Sequence, residues 1–184
     1  GSDESAFMEL TGQAATPKSE GLSRLNINYD TETEDGETLT RGDWKMMYLG
    51  EMVYAKEILI KPILRTFEWS IFDAEQGVFS SKSVQKPTMS GDFPDTEGGN
   101  KCGRLSQDEE DKLKDDDPLK LKSRSAVCNQ VLYSKVSGKF RKANGEEVEI
   151  SEHPAVAYFK RSGFLPIRNF IDSLTRQKKI MQKC

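Results

Sequence analysis

The sequence is short of the residues that usually announce chemistry. It holds three cysteines and one histidine among 184 residues. Cys102, Cys128 and Cys184 are odd in number and far apart. They do not read as a disulfide framework, and a reducing compartment is the simpler setting for them. Structural zinc takes four ligands, usually in close pairs such as Cys-x2-Cys. No such pair exists here, and Cys128 lies in an apolar run where a buried thiol is ordinary. No metal site is expected. His153 precedes Pro154 and lacks the partner pattern of a nucleophilic triad, so it reads as structural. Neither a Gly-x4-Gly-Lys-Ser/Thr loop nor a Gly-x-Gly-x2-Gly turn is present. The expectation is a non-enzymatic protein without a cofactor. No apolar run approaches the roughly 18 residues that read as a membrane span, and no leader pattern is visible. A cytoplasmic protein with no membrane contact is expected.

What is abundant is charge, and it is unevenly placed. Hydrophobic residues make up 35% and charged residues 31%, enough for a core with polar segments to spare. The net charge of -3 hides an asymmetry. Residues 1–40 carry nine acids against two bases, and residues 91–117 ten acids against four bases. Residues 118–184 carry fourteen bases against five acids, a net of +9. A basic third of this kind suits a polyanion, because clustered Lys and Arg release counterions from phosphates. It also suits an ordinary solvated face that balances acidic segments.

Residues 1–20 have no period and read as a flexible arm. Strand character begins at "RLNINY" (24–29), and an acidic, turn-rich loop follows. "WKMMYL" (44–49) and "MVYAKEILI" (52–60), parted by Gly50-Glu51, read as a hairpin. Pro62 marks an edge or a bend. "LRTFEWSIF" (64–72) alternates strictly, and "VFSSKSV" (78–84) returns from it. Residues 85–123 are an insertion rich in acids, Gly and Pro, with a helical turn expected after an N-cap at Ser106. Strands resume at 125–140. The Asn144-Gly145 signal sets a hairpin with 147–150, and 155–161 is a further strand. Phe164, Ile167, Phe170, Ile171 and Leu174 then fall on one helical stripe, so 164–180 is expected to be a basic amphipathic helix. The sum, over 21–175, is a single mainly β domain with a C-terminal helix. An OB-like antiparallel barrel with a long polar insertion fits it best, with a β-sandwich as the alternative.

Aromatic residues and cations interleave on these strands. Single-stranded nucleic acid is held by stacking on rings, at roughly 1–3 kcal/mol per base, and by cations along the phosphates. Tyr54, Trp69 and Phe72 are the candidate stacking rings. Lys56, Lys61, Arg65, Lys139, Arg141, Lys160 and Arg161 are the candidate phosphate contacts. The alternation places Phe67, Trp69 and Ile71 on one face, which reads as core. Phe72 shares the opposite face with Thr66, Glu68 and Ser70 and reads as exposed. An acidic insertion beside a basic groove is expected to compete with the ligand.

The run "GEMVYAKEILIKPILRTFEWSIFD", the insertion, "VCNQVLYSKVSG" and the closing "FLPIRNFIDSL" together resemble the layout of bacteriophage OB-fold single-stranded-DNA-binding proteins. The resemblance covers residues 22–175 as a pattern. It implies DNA binding in phage replication or recombination, in the cytoplasm of a host cell, with replication proteins as partners. It also implies an acidic C-terminal tail, whereas this sequence ends on the basic "KKIMQKC". Two other readings remain. One is a structural or adaptor module of a viral or multiprotein assembly, docking through the basic helix. The other is a metal-dependent nuclease using the central acids.

Overall fold

A computed structural model describes residues 22–90, 93 and 104–181; the arm expected over 1–20, most of 91–103, and Cys102 and Cys184 lie outside the described residues. The elements, in chain order, are β1 (Ser23–Arg24), β2 (Asn26–Ile27), β3 (Trp44–Tyr48), β4 (Glu51–Ala55), β5 (Leu59–Asp73), β6 (Val78–Lys82), α1 (Gln107–Asp111), α2 (Pro118–Ser125), β7 (Val127–Lys142), β8 (Glu147–Phe159) and α3 (Phe164–Met181). The protein is mainly β with a C-terminal helix. Its backbone divides into two compact units. One holds residues 22–65 and Leu132–Tyr158, the other Thr66–Val131 and residues from Phe159 on.

The first unit explains why "RLNINY" is not one strand. The chain bends at Leu25, whose side chain is buried. On one side of the bend, β1 pairs with β8 in parallel, Ser23 opposite Ala155. On the other, β2 pairs antiparallel with β3, Ile27 opposite Trp44. The strand order is β1-β8-β7-β4-β3-β2. Because β1 and β2 are consecutive in the chain, they bring the two ends of the sheet together, and the sheet is a nearly closed barrel. This fits the OB-like expectation. A sandwich would leave two sheets with separate edges. Of the pairs whose register is described, β2–β3, β3–β4, β4–β7 and β5–β6 are antiparallel and the short β1–β8 pair is parallel.

Alternation along the strands fills this barrel. Met46 on β3, Val53 on β4, Val136 and Phe140 on β7, and Ile150 on β8 are almost wholly removed from water. Each such side chain contributes about 1.5–3 kcal/mol of transfer free energy. At Gly138 a side chain would be crowded by the segment between β4 and β5. A Cβ there would lie 3.3 Å from the Glu57 carbonyl oxygen. The expected turn at Asn144-Gly145 is present, with Gly145 at φ +90° and Lys142 N donating to Glu146 O at 2.8 Å.

A polar clasp locks the closure. Ser23 Oγ donates to the Met47 carbonyl at 2.5 Å and lies 2.7 Å from His153 Nε2. With the hydroxyl proton committed to Met47, the imidazole must be the donor in the second bond. Tyr48 meets the same ring edge-on, centroids 5.2 Å apart. His153 thus ties β8 to Ser23 of β1 and packs against Tyr48 of β3. Burial pushes the His153 pKa below its ordinary value. The unfolded chain then takes up a proton before the folded one does, so stability holds above about pH 6.5 and falls as pH drops through the folded pKa. Urea unfolding should show a lower midpoint at pH 5.5 than at pH 7.5. The single histidine resonance should titrate below pH 6.5; a midpoint above 7 would contradict the buried, neutral clasp.

Within the second unit, Phe67 and Ile71 are buried, as the alternation predicts, and Trp69 is partly so. The opposite face differs from expectation. Thr66, Glu68 and Ser70 are buried too. Gln85 covers the first two, accepting from Thr66 Oγ1 at 2.8 Å and donating to Glu68 Oε2 at 3.2 Å. Asn129 Nδ2 donates to Ser70 Oγ at 2.9 Å. Polar residues on an alternating strand are therefore buried here because neighbours satisfy them. Only at Phe72, beyond a bulge between Ile71 and Phe72, does that face reach solvent.

Three element boundaries also depart from the sequence reading. β5 runs through Pro62, where the sequence reading expected an edge or a bend. Segments 147–150 and 155–161 merge into β8 across Glu152, a non-glycine residue at φ +49° whose N–H goes to Ser137 Oγ. The insertion holds two helices rather than one turn. α1 carries the expected Ser106 capping box, with Glu109 Oε2 accepting from Ser106 N at 2.8 Å. α2 was legible in Asp117-Pro118, an N-cap followed by proline at N1. Buried Glu110 accepts from Ser123 Oγ and pairs with Arg124, and buried Lys120 pairs with Asp115 at 2.9 Å. α3 buries Ile171 but leaves Leu165 and Phe170 exposed, so its stripe is only partly covered. Among the described residues no helix is long and apolar enough to cross a membrane.

Candidate nucleic-acid interface

The loop between β2 and β3 builds one wall of a basic concavity on the barrel. Asn28 holds that loop. Its Nδ2 donates to the carbonyls of Asp30 and Thr40, each at 2.9 Å, and its Oδ1 accepts from Asp30 N at 3.2 Å. Main-chain bonds from Asn28 N to Asp43 O and from Gly42 N to Asn28 O lock the same turn. The turn presents Thr40, Arg41, Gly42 and Asp43 to a concavity of about 470 Å³, completed by Lys56 and Arg141. Arg141 Nη2 lies 2.7 Å from Asp43 Oδ2, and that carboxylate is only 4% exposed. Arg41 and Lys56 are exposed. Three cations therefore converge on one concavity against a single carboxylate; all three reach solvent, and Arg141 is paired with that carboxylate.

Arg141 also lines a smaller adjoining cavity of about 130 Å³, with Thr38, Tyr54, Lys142 and Gly145. Tyr54 and Arg141 are register partners across β4 and β7. Burial, then the nearby Asp30 and Glu37, raise the Tyr54 pKa, so its phenol stays protonated. Tyr54 is 8% exposed and offers no free ring face to a base. Lys142 is held above the ordinary lysine range by the hydrogen bonds it donates to Glu51 and Glu146.

The other sequence-selected residues of this unit lie outside that concavity's lining. Lys61 makes a loose, exposed pair with Glu152 at 3.9 Å, a geometry worth little in water. Lys139 is exposed and Arg65 half-buried. Arg41 was missed; its signal was its place in the Thr40-Arg41-Gly42-Asp43 turn directly before β3.

The second unit carries the rings. Phe72 (51% exposed) and Phe79 (43% exposed) face each other across the β5–β6 pair, edge to face, centroids 5.2 Å apart. Lys82 Nζ sits 4.5 Å over the Phe79 ring. Asp73 Oδ1 accepts from Glu75 N and Gln76 N and shapes the turn between the strands. Trp69 is half-buried, with the Arg104 guanidinium 5.2 Å from its ring centroid. Lys160 and Arg161 are exposed ahead of α3, Arg161 at φ +52°. Phe79 and Lys82 belong to the interleaved aromatic and basic pattern; nothing in the sequence pairs Arg104 with Trp69.

Among the described residues no group of three or more His, Cys, Asp or Glu side chains is placed to hold a metal ion. Burial and then Glu68 push the Cys128 thiol up to about 11, which makes it a poor ligand or nucleophile at neutral pH. No protein-family model, curated protein or solved structure matches this chain.

Proposed function

We propose that the protein binds single-stranded nucleic acid, DNA in the first instance, by stacking bases on exposed rings and pairing phosphates with cations. The observation that carries this reading is the Phe72–Phe79 pair, half exposed and accompanied by Lys82. Exposed phenylalanines are costly in water, and a ring beside a cation matches both halves of a nucleotide. The Arg41–Lys56–Arg141 concavity supports it with a second place for phosphate. By its resemblance to phage single-stranded-DNA-binding proteins, we propose that this binding serves replication or recombination in a host cytoplasm.

Fluorescence anisotropy of a labelled single-stranded oligonucleotide across a salt series tests it. Micromolar or tighter binding is expected, weakening with salt by a log–log slope of about -0.7 per phosphate paired. Phe79→Ser should weaken binding roughly tenfold, the loss of one stacked base. Absence of binding at low salt would sink the reading. The assembly-module reading would then lead, on the exposed Leu165 and Phe170 of α3. It predicts a stable protein complex without a counterion slope.

A further inference from the structure

Trp69, like Tyr158 beneath Arg24, is a half-buried ring with a guanidinium close to it. Arg104 is an exposed residue of the insertion, and its guanidinium lies 5.2 Å from the Trp69 centroid. The same guanidinium is steered by the end of α2. Arg104 Nη1 donates to the carbonyls of Ser123 and Ala126 at 3.4 and 3.3 Å. The adjacent Leu105 N donates to Ser123 Oγ at 2.9 Å, and Ser123 Oγ donates to buried Glu110 on α1. The two helices of the insertion thus hold Arg104 in place by several bonds. The Trp69 main chain is anchored to Ser83, its backbone N–H donating to Ser83 Oγ at 2.8 Å and its carbonyl accepting from Ser83 N.

A guanidinium plane and a nucleobase are alike in size, flatness and preference for an indole face. We infer that Trp69 is a further base-stacking position of the site, covered by Arg104 of the insertion in the free protein and uncovered when a base replaces the guanidinium. The inference rests on the single-strand-binding reading above and adds its regulation. The acidic insertion would then act on the ligand through one arginine that mimics it, and not only through negative charge.

The sign of one substitution separates this from a simple charge effect. Arg104→Ala removes a cation, and charge alone predicts weaker binding to a polyanion. Removal of a cover predicts the opposite. The experiment uses the full chain with Trp44→Phe, so that emission reports Trp69 alone. Oligonucleotide affinity is measured at fixed salt for this parent, for Arg104→Ala, for Trp69→Leu and for the double variant. Arg104→Ala is expected to bind about fivefold tighter, the size of an exposed cation–π contact expressed as affinity. Bound base should quench Trp69 more strongly in that variant, and Trp69→Leu should abolish the gain. Acrylamide quenching without ligand, beside a thermal melt, checks that Trp69 becomes more accessible while the fold persists. If the parent binds but Arg104→Ala is unchanged or weaker, or the gain survives in Trp69→Leu, the cover is refuted. If Arg104→Ala does not fold, Arg104→Gln replaces it, with the same expected sign. If the parent binds no oligonucleotide, the single-strand reading itself fails and this inference falls with it.

Discussion

Replacing Asn28 with alanine is expected to lower the unfolding free energy by about 3 kcal/mol. The side chain is 0% exposed and makes three hydrogen bonds, two donated from Nδ2 and one accepted at Oδ1. Alanine fills none of these. Each buried group left without a partner costs roughly 1–3 kcal/mol. The total stays near the low end of the sum because Asp30 and Thr40 are exposed and water reaches part of what is lost. The damage should be local first. The main-chain bonds of Gly42 and Asp43 lie on the same turn, so their amides should lose hydrogen-exchange protection ahead of the barrel core. Since that turn also supplies Arg41 and Asp43 to the basic concavity, nucleic-acid affinity should fall with it. Urea unfolding decides the matter. A loss below about 1 kcal/mol would mean that the turn is held by its main chain alone.

Arg141→Ala is expected to cost about 2–3 kcal/mol of stability, less than the 3–5 typical of a broken buried pair, because the arginine is half exposed. Its partner is the reason for the cost. Asp43 is 4% exposed and Arg141 stands 2.7 Å away, so alanine strands a carboxylate that water barely reaches. The double variant Arg141→Ala, Asp43→Ala should recover part of the loss, since it leaves no buried charge. Failure of the double variant to recover anything would assign Arg141 to packing rather than pairing. The sequence reading made Arg141 a phosphate contact. In the structure its Nη2 is already engaged by Asp43, so its first duty is to neutralise that carboxylate, while Arg41 and Lys56 are exposed beside it in the same concavity.

The residues show where sequence reasoning reached and where it stopped. The strict alternation of 64–72 correctly buried Phe67 and Ile71, because a strand's two-residue period is a local property. It could not foresee that Thr66, Glu68 and Ser70 are buried as well, because Gln85 and Asn129 arrive from elsewhere in the chain to satisfy them. Tyr54 looked like a stacking ring by composition. Its place opposite Arg141 on β7, some ninety residues away, is what buries it. The approach of Arg104 to Trp69 is another long-range fact, made by a residue of the insertion that carries no signal in its own neighbourhood.

The sequence by itself determined the mainly β character, the Asn144-Gly145 hairpin, the Ser106 cap and the C-terminal helix, each written in a window of a few residues. Tertiary structure alone decided the closure of the barrel through the bend at Leu25, the pairing that commits Arg141 to Asp43, and which rings meet solvent. The physical reason is the same in each case. Periodicity, caps and turns are set by neighbours along the chain, whereas burial, ion pairing and exposure are set by whichever distant segment fills the space beside a side chain.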